Sequence, residues 1–161
     1  MRLLAILLLL PLCGCGEKAT KPAEESHDHD HEHEHHHHEA PRGGTLVLLG
    51  EHAAHLEFVL DPAKGKLSAY GLDGHAEDAV PISMSTLPVA VDLNGTSFTL
   101  KLAPVANPLT GESESKTSEF SATDARLAGA ARFQMSIPKV VVGGQPFGPV
   151  QFPFPEGNEE K

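Results

Sequence analysis

The sequence predicts an all-β fold: a single β-sandwich of about seven to nine short antiparallel strands, with a small β-barrel as the alternative. Three observations carry this expectation. Apolar and polar residues alternate with a period of two over several short runs, as on strands with one buried face. Turn residues separate the runs roughly every ten positions. Thirteen prolines and fifteen glycines interrupt any long helical period. The runs fall within residues 41–155, enough chain for one modest core.

The first clear strand covers residues 54–60, where Leu56, Phe58 and Leu60 alternate with His55, Glu57 and Val59. Asp61-Pro62-Ala63-Lys64-Gly65 reads as a turn, with Pro early and Gly late. Leu67 to Leu72 returns as its partner. Leu87, Val89, Val91 and Leu93 then alternate up to Asn94-Gly95, and Phe98, Leu100 and Leu102 follow. Asn-Gly is the signal of a two-residue type I′ hairpin. That turn pairs Leu93 with Thr96, so Val91 faces Phe98, Val89 faces Leu100 and Leu87 faces Leu102. Each of these three pairs is apolar on both sides, so turn and register agree. Residues 104–119 are a polar loop, and Asp124 to Ala131 has room for a helical turn at most. Phe133, Met135 and Ile137 alternate with Arg132, Gln134 and Ser136. Val140–Val142, Gly143-Gly144 and Phe147–Phe152 suggest a last hairpin, and residues 156–161 a polar tail.

Residues 15–40 read differently. No apolar periodicity runs through them, and the composition is that of a disordered tether. Random-coil statistics give a chain of this length an r.m.s. reach of roughly 25–30 Å. Eight of the eleven histidines lie here, at His27, His29, His31, His33, His35, His36, His37 and His38. Asp28, Asp30, Glu32, Glu34 and Glu39 are interleaved with them. Such a run offers many neutral imidazole nitrogens, with carboxylates beside them, to zinc, copper or nickel ions. Each ion would order the chain at an entropic cost, so single sites should be weak, roughly micromolar. Binding should fade as the imidazoles protonate near pH ~6.5, a value the neighbouring carboxylates push upward. The tract contains H-E-x-x-H twice, from His31 and from His33, but no apolar helix exists to hold that geometry. The pattern is a by-product of low complexity. A plainer reading of the whole tract is a solvated spacer.

The formal net charge is −10. Nothing is basic enough to suggest a nucleic-acid partner, and the tether's own negative charge would repel anionic membrane surfaces until metal neutralised it. At the N-terminus, Arg2 precedes an apolar run from Leu3 to Leu12. Spanning a bilayer takes about 20 residues, so this run fits a secretory signal instead. Leu12-Cys13-Gly14-Cys15 resembles the lipobox of bacterial lipoproteins, with Leu12, Gly14 and Cys15 at its three defining positions. The resemblance implies a signal peptide over residues 1–14 and acylation of Cys15, whose acyl chains would anchor the protein in a lipid bilayer. Gly16, where an Asp would mark inner-membrane retention, resembles the outer-membrane class. The expected location is therefore the periplasmic face of the outer membrane. The two cysteines are at 13 and 15, so the domain has no disulfide.

The remaining histidines lie in the domain. His55 and Glu57 are two apart on a strand, pointing away from the Leu56/Phe58/Leu60 face. Their Cβ atoms should be roughly 6–7 Å apart. His52 and His75 fall in flanking turns that meet if the strands form a hairpin. His52, His55, Glu57 and His75 are therefore a candidate second metal site. The plainer reading, which the pattern favours, is a polar outer sheet face with loop histidines.

Pro41-Arg42-Gly43-Gly44-Thr45-Leu46, Glu57-Phe58-Val59 and Gly65-Lys66-Leu67…Tyr70…Leu72-Asp73 resemble a P-H-G-G…E-x-V…G-x-L…Y-x-L-D pattern. It occurs in small periplasmic domains of heavy-metal efflux adaptors and in uncharacterised His-rich lipoproteins. Over residues 41–80 it implies a β-rich domain, a metal-stress setting and an efflux complex as a candidate partner. The His before the glycine pair is Arg42 here, so a ligand at that position would be lost. The coiled-coil and lipoyl-like segments of a full adaptor are absent. No G-x-S-x-G elbow, phosphate loop or domain cysteine points to an enzyme. The expectation is a non-catalytic binder or buffer of divalent metal. The competing class is an envelope interaction module in which the tract is only a spacer.

Overall fold

A computed structural model describes residues 38–159. Cys15 and the histidines from His27 to His37 lie outside the described residues. Within them the chain is all-β. The strands are β1 (Thr45–Leu49), β2 (Ala54–Asp61), β3 (Lys66–Leu72), β4 (Leu87–Leu93) and β5 (Thr96–Pro104), then β6 (Glu119–Thr123), β7 (Phe133–Ile137), β8 (Val140–Val142), β9 (Gln145–Phe147) and β10 (Val150–Phe154). Eight of them form one antiparallel sheet in the order β1-β2-β3-β6-β5-β4-β7-β10, and β8 pairs with β9 beside it.

β5 joins the two halves of the sheet through successive parts of its length. Its first part pairs with β4 from Thr96 to Leu102, and its end, Ala103 and Pro104, pairs with β6. The two outer strands, β1 and β10, come together, and the sheet is nearly closed and barrel-like. Phe58 of β2 packs on Phe152 of β10 across the interior, with ring centroids 5.5 Å apart. Apolar side chains from every strand of the large sheet fill this core, among them Val47, Leu56, Leu67, Val89, Leu102, Phe120 and Met135.

The Asn-Gly hairpin forms with the register the sequence predicts. Val91 is opposite Phe98, Val89 opposite Leu100 and Leu87 opposite Leu102. Asn94 and Gly95 have φ of 53° and 79°, as a type I′ turn requires. The β2–β3 hairpin and β7 also fall where alternation put them. Asp124 caps a single 3₁₀ turn, Ala125–Leu127.

Two strands were not legible. β1 is Thr45 followed by an unbroken apolar run, Leu-Val-Leu-Leu, with no alternation to mark it, and β6 is a short strand emerging from the polar loop. The last hairpin is also corrected. Gly143-Gly144 pairs Val142 with Gln145 and Val140 with Phe147, so that hairpin ends after three pairs. Val150–Phe154 instead joins β7, which carries Phe152 and Phe154 into the core.

The seam between β1 and β10 is closed by the chain beyond β10. Thr45 Oγ1 donates to the Pro155 carbonyl at 3.0 Å. The Asn158 amide takes the place of a neighbouring strand: its Oδ1 accepts from Leu48 N–H at 2.7 Å and its Nδ2 donates to Leu48 C=O at 3.0 Å. Only glycine fits at 157, where φ is +79° and a Cβ would collide with the Leu46 carbonyl oxygen. The polar tail expected after Pro155 is therefore bound to the fold as far as Glu159.

Replacing the Asn158 amide leaves two backbone groups of an edge strand without partners. Asn158→Ala is expected to lower stability by about 1–2 kcal/mol in urea unfolding, with the m-value unchanged.

Candidate metal centre

The outer face of β2 is not the polar surface its pattern implies. His55 and Glu57 both point away from the core as expected, yet each is fully buried. Three segments cover them: residues 38–44 leading into β1, the loop after β3, and residues 157–159. Leu46, Leu72, Ala76 and Ala40 form a small apolar cluster beside them, which helps to dry this face.

Glu57 has a structural role. Its Oε1 accepts from the backbone N–H of Arg42 at 2.7 Å and of Gly44 at 2.9 Å. Its Oε2 accepts from the Arg42 guanidinium at 3.2 Å. That guanidinium lies over the Tyr70 ring, 4.1 Å from its centroid, and Tyr70 donates its hydroxyl to Glu119 at 3.3 Å. A buried carboxylate is tolerated only when so satisfied. The Arg-Gly-Gly, Glu and Tyr of the motif over residues 41–73 are thus one device that straps the incoming chain across β2 and β3. Glu57, a candidate ligand by its spacing from His55, is engaged in this strap and is not among the converging residues.

The strap brings His38 over His55. His38 and His55 have ring centroids 4.8 Å apart, and His52 completes a triangle at 5.6 Å from His38 and 6.3 Å from His55. One ligand atom from each of the three lies within 4.8 Å of the others. His52 is exposed on the β1–β2 turn with φ of 58°, a left-handed conformation that histidine accepts more readily than bulky or β-branched residues do. Gly74 lets the loop after β3 reach this turn, since a Cβ there would strike the His52 carbonyl oxygen.

His55 is the oriented member. Its Nδ1 is 2.9 Å from the Asp73 carbonyl oxygen. A carbonyl only accepts, so Nδ1 carries the proton, and neutral His55 keeps a lone pair on Nε2. This second bond is how metal-binding histidines are commonly fixed. Nε2 is buried and, among the described residues, is the buried side-chain polar atom without a hydrogen-bond partner. The Asp73 carbonyl is itself held by a tight loop, in which the Asp73 carboxylate accepts from Glu77 N–H at 2.9 Å and Asp78 N–H at 3.2 Å. The Glu77 bond chiefly, with Asp78 adding to it, holds this carboxyl below its ordinary value of 3.8.

Tetrahedral zinc with bonds of about 2.0–2.1 Å to nitrogen places donor atoms about 3.3–3.4 Å apart. The triangle must therefore close by roughly 1–1.5 Å. His38 and His52, on surface segments, can supply that movement by side-chain rotation, while His55 stays fixed. His75 shares an open recess with His38, Glu39 and Glu77 but is not one of the converging three. Of the four residues expected in the second site, the structure joins His52 and His55, and it adds His38 from the end of the tract. Glu159 was missed. Its Oε1 is 3.3 Å from both His38 Nδ1 and His55 Nε2. Nothing in a polar C-terminal tail singles out one carboxylate as a neighbour of histidines more than a hundred residues earlier.

No family model, curated protein or solved structure matches this chain. The resemblance of residues 41–80 to efflux-adaptor domains therefore rests on the motif residues themselves.

Glu57 and His55 are expected to separate in mutation. Glu57→Ala should cost about 3 kcal/mol in urea unfolding, because buried amides and a guanidinium lose their acceptor. Glu57→Gln should leave the number of bound metal ions unchanged by equilibrium dialysis. His55→Gln should cost about 1 kcal/mol or less but weaken zinc binding at least tenfold. A depressed carboxylate stabilises its loop above the unfolded value and loses that effect as pH falls through the folded one. The amide resonances of Glu77 and Asp78 should therefore keep native shifts as pH passes below 3.8 and change only at still lower pH.

Proposed function

We propose that this chain is a lipid-anchored protein of the bacterial envelope that binds and buffers a divalent transition metal, zinc, copper or nickel, without catalysing a reaction. The observation that carries the reading is the convergence of His38, His52 and His55, with the Nε2 of His55 buried, pre-oriented and without a hydrogen bond. Imidazole donors are the ligands these three metals favour. A buried ring nitrogen that makes no hydrogen bond, facing two other imidazoles and the Glu159 carboxylate 3.3 Å away, suits a cation.

The reading has two tiers. The tract from His27 to His37 supplies many equivalent weak sites and raises the local concentration of metal. The cluster on the fold supplies one site whose ligands are already near their positions, so less ordering is required and affinity is higher. His38 belongs to both, as the last histidine of the tract and the first of the cluster. Acylation at Cys15 would hold this reservoir at a membrane, and the motif over residues 41–73 supports a setting of metal stress, with an efflux complex as the partner.

Zinc titration of the mature chain should resolve one tight equivalent, at least tenfold above the remainder, followed by several weak ones. Removing residues 16–37 should abolish the weak class and keep the tight one. Loss of all binding on that deletion would overturn the two-tier reading. Both classes should weaken on acidification, because protons and metal compete for the same nitrogens.

A further inference from the structure

We infer that Glu159 is the fourth ligand of this site, and that the bound ion acts as a clamp closing the seam of the barrel. The inference rests on the metal-binding reading above and adds the identity of the fourth donor and what its engagement does to the fold.

The distances single out Glu159. Its Oε1 is already 3.3 Å from His38 Nδ1 and 3.3 Å from His55 Nε2. Both separations match the donor-to-donor edge of a tetrahedral zinc site, about 3.3–3.4 Å. The chemistry agrees. With the Nδ1 proton directed at the Asp73 carbonyl, Nε2 is the ring nitrogen that faces the cluster and can offer its lone pair to a metal ion. A carboxylate oxygen is also a lone-pair donor. Two such lone pairs 3.3 Å apart repel unless a proton or a metal ion lies between them. Nε2 makes no hydrogen bond to Glu159 despite the short separation, so a shared proton is poorly placed to serve, and a metal bound by both is not.

The backbone holds Glu159 there. Gly157 N–H donates to the Pro153 carbonyl at 2.9 Å, and Asn158 is locked to Leu48 on both sides of its amide. The next residue is thereby delivered to the cluster. The four donors come from four places: the lead-in segment (His38), the β1–β2 turn (His52), β2 (His55) and the segment beyond β10 (Glu159). An ion bound by all four ties the chain before β1 to the chain after β10, across the edge that side chains alone otherwise close. A site with three imidazoles and one carboxylate is also full. It leaves no position for an activated water, which fits holding a metal rather than hydrolysis.

The test uses the full mature chain with Zn²⁺ in competition with a chelating dye, Co²⁺ absorption, and amide exchange at Leu48. In the native protein the first Co²⁺ equivalent should give the intense visible bands of a tetrahedral site. The first Zn²⁺ equivalent should slow exchange of the Leu48 amide at least tenfold. Glu159→Gln should weaken the first Zn²⁺ equivalent at least tenfold, alter the Co²⁺ bands and remove the metal-dependent protection of Leu48. Glu159→His, which restores a donor, should recover most of the affinity, and Glu114→Gln, the same charge change on the β5–β6 connection, should alter none of these. If His55→Gln weakens the first equivalent while Glu159→Gln does not, the metal site stands and the clamp is refuted. If His55→Gln also binds like the native chain, the cluster is not the site and both readings fall.

Discussion

The architecture of the site depends on one buried carboxylate. Glu57 sits on β2 with no access to water and is satisfied by two backbone amides and a guanidinium of the segment leading into β1. Desolvating a carboxylate is costly, and only this full set of partners offsets it. The same bonds fix where the incoming chain lies. With Arg42 and Gly44 tied down, Ala40 packs on Leu46 and Leu72, and His38 arrives above His55. A residue two positions from the oriented histidine thus assembles the site without touching a metal.

A second constraint acts from the other end of the chain. An antiparallel sheet that curls but does not close leaves β1 with unpaired backbone groups, which is a hazard for aggregation. The Asn158 side chain pairs them as a strand would. Closing the edge in this way brings Glu159 to the face that the strap has already covered. The two ends of the domain meet at the cluster because each solves a problem of unsatisfied polar groups on β1 or β2. The loop after β3 adds the third piece, offering the Asp73 carbonyl to His55.

What could be read in advance follows from whether the signal is local. The Asn94-Gly95 hairpin was legible to the residue, because turn chemistry and apolar pairing are both encoded within sixteen positions. β2, β3 and β7 were legible through alternation. β1 was not, since a continuous apolar run carries no period, and in the structure it is covered on both faces. The same double coverage misled the reading of β2. Alternation correctly placed His55 and Glu57 on the face opposite the core, but a period of two says nothing of what lies above that face. Glu57 therefore looked like a ligand exposed beside His55, and Glu159 looked like part of a tail.

The sequence by itself determined the all-β class and the hairpin register, and it put His52 and His55 into one candidate set. These rest on local spacing, which the pleat and the turn types convert directly into geometry. The tertiary structure alone decided that His38 joins them, that His75 does not, that Glu57 serves the strap, and that Glu159 approaches from the far end. Those outcomes depend on which segments cover an outer sheet face, and coverage is set by the need to partner buried polar groups between residues as many as 121 positions apart.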